Sequence, residues 1–143
     1  GLMVATAESC TGGLIAGALT AVAGSSDVVD RGFVTYSNEA KHTLLGISTD
    51  LLNTVGAVSE EVSRAMAEGA AARSKAQLAI SVTGIAGPGG GTETKPVGLV
   101  HMAIAREGFE TLHFRDVFPG GRSEVRTATV VAALQRLCAV ASA

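Results

Sequence analysis

The stretch VATAESCTGG, residues 4 to 13, ends an apolar run in a carboxylate, two hydroxyls, a thiol and two glycines, with an Ala-rich segment directly behind. Leu2 to Ala7 reads as a buried strand and Gly12 to Val22 as a helix, so the chain opens with strand, tight turn, helix. A packed core has no need of that polar cluster.

The same order recurs downstream. Gly32 to Ser37 is a short strand by its Phe, Val, Thr and Tyr content, and Ser37 to Gly46 is a short helix capped by Ser37 or Asn38 and stopped at Gly46. Thr49 to Leu52 reads as a helical turn, and Ser59 with Glu60 and Glu61 opens a helix to about Ser74. Gln77 to Thr83 returns as a buried strand. Val97 to Arg106 and Phe109 to Phe118 flank Glu107-Gly108, a hairpin signal, and Ser123 is expected to cap a closing helix. The order predicts a mostly parallel sheet of five strands with helices on both faces and one domain spanning 1–143.

Several function classes fall away on composition. Net charge is −2, aromatic residues are 3% and Trp is absent, so neither a basic stripe nor a stacking platform for nucleic acid is visible. No apolar run is long enough to span a membrane and the opening residues lack signal-peptide order, which predicts a cytoplasmic protein. Cys10 and Cys138 lack metal-site spacing, and nothing suggests a disulfide.

Ligands of open α/β sheets gather at the carboxyl ends of strands, which selects the loops after Ala7, Tyr36 and Thr83. Ser9 sits where the first strand turns into a helix, and its hydroxyl meets the positive helix end, as a nucleophile with an oxyanion hole requires. A helix cap from Ser9 or Thr11 explains the same spacing. Neither G-x-S-x-G nor S-x-x-K is present, so a base for Ser9 must come from elsewhere. Lys41 is the candidate, because it shares a helix face with Leu44 and Leu45, where a lysine is out of pattern. Desolvation and the helix dipole would both favour its neutral amine, giving a depressed pKa; a stem that snorkels to solvent is the alternative.

Tyr36, the only tyrosine, lies five residues before Lys41, so its hydroxyl could share a site with the ammonium, or serve a core position with a wet tip. Six glycines fall between Gly84 and Gly98, and the loop Thr83 to Gly98 offers unobstructed N–H groups, as a phosphate cradle or as an irregular surface loop. Arg122 and Arg126 straddle the start of the final helix, where they pair with an anion or merely solvate it. Cys10 is a rival nucleophile without a histidine partner. A two-residue hairpin turn would pair Arg106 with Phe109 and put His101 and His113 on opposite faces, so no metal site is expected.

Five motifs in order, TAESCTGG (Thr6 to Gly13), RGFVTYSNEAKHTLLGI (Arg31 to Ile47), GAVSEE (Gly56 to Glu61), SVTGIAGPGGGTETKPVG (Ser81 to Gly98) and GGRSEVR (Gly120 to Arg126), resemble the CinA carboxy-terminal domain family. That family includes stand-alone nicotinamide-nucleotide amidases of the PncC type. The resemblance implies a three-layer α/β/α sandwich on a mixed, mostly parallel five-stranded sheet with one antiparallel strand. It also implies hydrolysis of the carboxamide of nicotinamide mononucleotide to nicotinic acid mononucleotide and ammonia, without a metal or other cofactor.

The family's serine nucleophile with lysine and tyrosine partners carries over to Ser9, Lys41 and Tyr36. Thr11 and Gly12 are expected to bind the substrate and to shape the helix end around the nucleophile, its amides holding the oxyanion. Thr83, Gly84, Gly87 and Arg122 are the expected substrate contacts, by charge and position. The helix that usually precedes the first strand in the family is expected to be absent, since Gly1 stands almost inside that strand. A homo-oligomer, first of all a dimer, is the expected assembly. A nucleotide-binding module that has kept the pocket without catalysis is the rival reading; binding to DNA is a second, opposed by the acidic balance.

Overall fold

The computed structural model describes residues 1–143. The strands are β1 (Val4–Glu8), β2 (Val29–Val34), β3 (Leu78–Gly84), β4 (Leu99–Arg106) and β5 (Leu112–Val117), in the sheet order β2-β1-β3-β4-β5. β1 pairs in parallel with β2 and β3, and β4 pairs antiparallel with β3 and β5, so β4 alone runs against the other four strands. The expected mixed, mostly parallel sheet with one antiparallel strand is borne out.

The helices are α1 (Leu14–Thr20), α2 (Asn38–Leu45), α3 (Thr49–Val55), α4 (Glu60–Ala72) and α5 (Arg122–Ser142). Strand alternation divides the core between two faces of different bulk. Ile80 and Val82 of β3 and Val100, Met102 and Ile104 of β4 meet Ile15 of α1 and Val125 and Leu137 of α5. On the other face Ala5, Ala7 and Ala79 lie under Leu45, Leu52, Val62 and Met66 of α2 to α4. Small residues there let α4 come close. At Gly69 a Cβ would stand within 2.4 Å of the Leu45 carbonyl oxygen, so that residue is what allows α2 and α4 to touch.

Helix starts follow hydroxyl caps where the backbone needs them. Ser37, Ser48 and Ser59 accept from the N–H groups of Ala40, Leu51 and Val62, closing α2, α3 and α4. α5 departs from expectation: it begins at Arg122 with Gly121 at the cap position and no side-chain cap, so Ser123 lies inside the first turn. β2 also sits earlier than its composition suggested. Its register on β1 begins at Val29, and the polar Asp30 and Arg31 of this edge strand hid that start. Thr35 and Tyr36 consequently lie beyond the strand, in the loop that leads into α2.

The hairpin forms, but one residue out of the expected register. Ile104 pairs with Leu112 and Ala103 with His113, so Arg106 falls opposite Glu110 and the connection is longer than two residues. Phe109 N–H closes a turn on the Arg106 carbonyl, and Gly108 takes the left-handed conformation (φ 82°) that the extra residue requires. A one-residue slip reverses every side chain. His101 and His113 therefore share the face under α4 and touch, Nδ1 to Nε2, at 2.8 Å.

Candidate active site

β1, β3 and the loop after β2 deliver their carboxyl ends to one cleft of about 310 Å³. Ser9 follows β1 directly and is anchored to the next strand, its amide donating to the Val82 carbonyl at 3.1 Å. Lys41 comes from the first turn of α2 and is 1% exposed. Its Nζ donates to Ser9 Oγ (3.0 Å) and to the carbonyl oxygens of Thr35 (3.0 Å) and Tyr36 (3.3 Å). Burial holds this amine below its ordinary value, and the neighbouring Cys10 opposes that only in part. No carboxylate contacts Nζ. In its neutral form, with two N–H bonds taken by those carbonyls, the amine would turn its lone pair to the Ser9 hydroxyl, the arrangement a general base needs.

Cys10 lines the same cleft, but burial pushes its thiol up to about 11, so it stays protonated and is a poor nucleophile. Ser9 is the hydroxyl in the cleft that Lys41 Nζ contacts.

Glu8, for which the sequence supplied no role, explains the turn. It is 1% exposed, and its carboxylate accepts from Thr11 Oγ1 (2.6 Å), Ile15 N (2.9 Å) and Ala16 N (3.0 Å). Neither Ser9 nor Thr11 caps α1, whose cap position is Gly13; the Glu8 carboxylate does it from within the strand. Those two first-turn amides of α1 are occupied by Glu8, whereas the amides of Cys10 and Thr11 in the turn donate to no acceptor.

Among the other expected contacts, Thr83, Gly84, Gly87, Tyr36 and Arg122 line the cleft beside Ser9 and Lys41. Thr11 and Gly12 do not, because Thr11 is wholly buried on Glu8 and Gly12 sits in the turn behind. Tyr36 contributes differently from expectation: its carbonyl holds Lys41, while its hydroxyl accepts from Arg122 Nη2 at 3.4 Å. Arg122 also donates to the Gly87 carbonyl (2.8 Å), which brings the glycine loop over the cleft. Thr83 Oγ1 donates to Ala57 O at 3.0 Å, tying in the wall formed by Ala57 and Val58. The amides of Ala86, Gly87, Gly89 and Gly90 make no hydrogen bond within the chain.

Two arginines one helical turn apart divide the work. Arg122 faces the cleft, while Arg126 donates to Cys10 O (3.0 Å) and Thr11 O (3.4 Å) behind the Ser9 turn. Charge spacing marked both arginines but could not separate them. His101 and His113, expected on opposite faces, meet instead, and His113 Nδ1 lies 3.7 Å from Glu60 Oε1.

The model of the CinA C-terminal domain family matches residues 1–141. The chain belongs to that family. Among CinA relatives, a CinA-like protein of Geobacter sulfurreducens is 54% identical over 138 residues, 96% of this chain and 33% of its own length. The chain thus spans about a third of such longer relatives. A protein of Shigella flexneri named nicotinamide-nucleotide amidohydrolase PncC is 50% identical over 137 residues, covering 96% of this chain and 83% of that protein. The crystal structure of the competence/damage inducible protein CihA from Agrobacterium tumefaciens superposes with a TM-score of 0.95 at 59% identity, over 97% of this chain and 85% of that one.

Proposed function

We propose that this chain hydrolyses the carboxamide of nicotinamide mononucleotide to nicotinic acid mononucleotide and ammonia, with Ser9 as nucleophile and Lys41 as base. The observation that carries the proposal is the buried 3.0 Å contact between Lys41 Nζ and Ser9 Oγ, backed by two carbonyls. The amidohydrolase name of relatives that this chain nearly spans supplies the substrate.

In this reading the lone pair of Lys41 takes the Ser9 proton directly while Oγ bonds to the carboxamide carbon and the carbonyl π pair moves onto oxygen. The amide of Cys10, a residue that lines the cleft, receives that oxyanion. Lys41 returns the proton to the leaving nitrogen, ammonia departs, and an acyl-enzyme remains. Water then attacks, giving one proton to Lys41; collapse breaks the ester, Lys41 reprotonates Ser9 Oγ, and the carboxylic acid product leaves. Tyr36 needs no relay role, because the amine already reaches the hydroxyl. Its phenol and Arg122 are assigned to the substrate instead, with Arg122 and the free glycine-loop amides on the phosphate.

Ammonia release from nicotinamide mononucleotide tests the proposal. The intact protein should release it, and Ser9→Ala or Lys41→Met should lower the rate by at least about 10³-fold. Binding without release at any pH would favour the nucleotide-binding module, and equal release by Ser9→Ala would remove Ser9 as nucleophile. We carry the homodimer forward in the proposal, supported by exposed Phe109 and Leu112 beside an apolar cleft between the hairpin and the end of α5. A light-scattering mass of one chain would remove it.

A further inference from the structure

Asn38 opens α2 three residues before Lys41 and lines the cleft beside it. The cap of this helix falls to Ser37, whose Oγ accepts from Ala40 N at 3.0 Å, so Asn38 is free of the usual work of an asparagine at a helix start. Residues three apart on a helix share a face, and helical side chains lean toward the N-terminus. The Lys41 stem follows that lean, its Nζ reaching back to the carbonyls of Thr35 and Tyr36, which precede Asn38 in the chain. The base therefore ends level with the first turn of α2, on the side where Asn38 stands.

Most other polar side chains of the lining are committed. Lys41 holds Ser9, Thr83 Oγ1 donates to Ala57 O, and Arg122 donates to the Tyr36 hydroxyl and the Gly87 carbonyl. Cys10 keeps its thiol proton. Asn38 is exposed, and its side-chain amide forms no hydrogen bond within the chain. It thus presents an unused acceptor oxygen and two unused N–H groups to a bound molecule.

The leaving nitrogen of a carboxamide has a matching need. It carries two N–H groups, and the groups already placed at the reacting carbon cannot accept them: Lys41 holding the Ser9 proton has donors only, and the Cys10 amide is a donor. Asn38 Oδ1 is an unused acceptor beside that base.

We infer that Asn38 is a specificity residue of the cleft: its Oδ1 accepts one N–H of the substrate carboxamide and so turns the nitrogen lone pair toward Lys41. The inference rests on the amidase reading above. As the oxyanion pair re-forms the carbonyl, the C–N bonding pair leaves with the nitrogen, whose proton still comes from Lys41; Asn38 gives and takes none. A primary amide, which brings N–H donors, is by this contact told from an ester, which brings none.

The test sets nicotinamide mononucleotide against the methyl ester of nicotinic acid mononucleotide, which shares its phosphate, ribose and ring and differs in the leaving group. Ammonia and methanol release give kcat/KM for each on the intact protein, Asn38→Leu and Asn38→Ala. Direct binding of both compounds is measured in the Ser9→Ala background, where the nucleophile is absent. Asn38→Leu should lower kcat/KM for the amide by about 10-fold, as loss of one hydrogen bond does, with the ester within about threefold. Binding of the amide should weaken by a similar factor while binding of the ester holds. Asn38→Ala should behave alike, since both variants remove the acceptor while one fills its space and the other empties it.

An unchanged preference for amide over ester would overturn the inference. If both rates held, Asn38 would be a solvated surface residue; if both fell together, it would serve a group that the two compounds share, or the fold itself. Absence of ammonia from the intact protein would overturn the amidase reading, a result distinct from an active protein whose preference ignores Asn38.

Discussion

Glu8 shows how one side chain can belong to the fold and to the site together. Its carboxylate satisfies two helix amides and a hydroxyl that have no other acceptor in the chain. Glu8→Ala would leave those donors buried and unpaired, and we expect a loss of about 3 kcal/mol in stability, read from urea unfolding. Thr11→Val should cost less, because it removes one donor along with its bond. Lys41 presents the converse problem, a cation site without a counter-charge. Its amine lies below the ordinary 10.5 because burial penalises the charged form. The acid limb of kcat/KM for ammonia release should accordingly have its midpoint below 10.5, and a limb at that value would remove Lys41 as the base.

Individual elements add constraints that no single side chain explains. The hairpin of β4 and β5 places His101 against His113, and its acid response follows. Burial first, and then the charge of His113, lowers His101 from 6.5 to about 4; His113 is lowered as well, chiefly by burial. The unfolded chain thus holds these protons more tightly than the folded one, so the contribution is complete above pH 6.5 and is lost as pH falls toward about 4. His101→Leu should flatten the urea midpoint across that window; an unchanged slope would place the acid sensitivity elsewhere. Other charges near the pair are Arg115, Lys95, Glu60, Arg64 and Glu61. On α4, Gly69→Ala would drive a methyl into the Leu45 carbonyl and push away the helix that carries Lys41. We expect a loss of about 1–3 kcal/mol on thermal unfolding together with slower ammonia release, since overpacking here displaces the base.

Across the whole molecule, helices on both faces of one sheet bury the central strands β1, β3 and β4 and leave β2 and β5 at the edges. No helix is long and apolar enough to cross a membrane. The proposed single domain over 1–143 should unfold in one transition, with far-ultraviolet circular dichroism and Tyr36 fluorescence coincident in urea; separated midpoints would divide it. Local patterning sufficed for the element order, the serine caps of α2 and α4 and the out-of-pattern Lys41, because each depends on neighbours within a few residues. Buried Lys41 was visible as a lysine among leucines, and the motif around Ser9 as polarity that a core does not need. Three decisions lay beyond that range. The hairpin register turned on one extra residue held by Gly108, the acceptor for α1 came from Glu8 seven residues before Ile15, and Arg126 met Cys10 across almost the full chain. Sequence by itself determined which residue types would stand at the strand ends, since propensity and hydrophobic periodicity act locally. Only the tertiary structure decided which hydrogen bonds they would make, because a donor's partner is fixed by where distant backbone comes to rest.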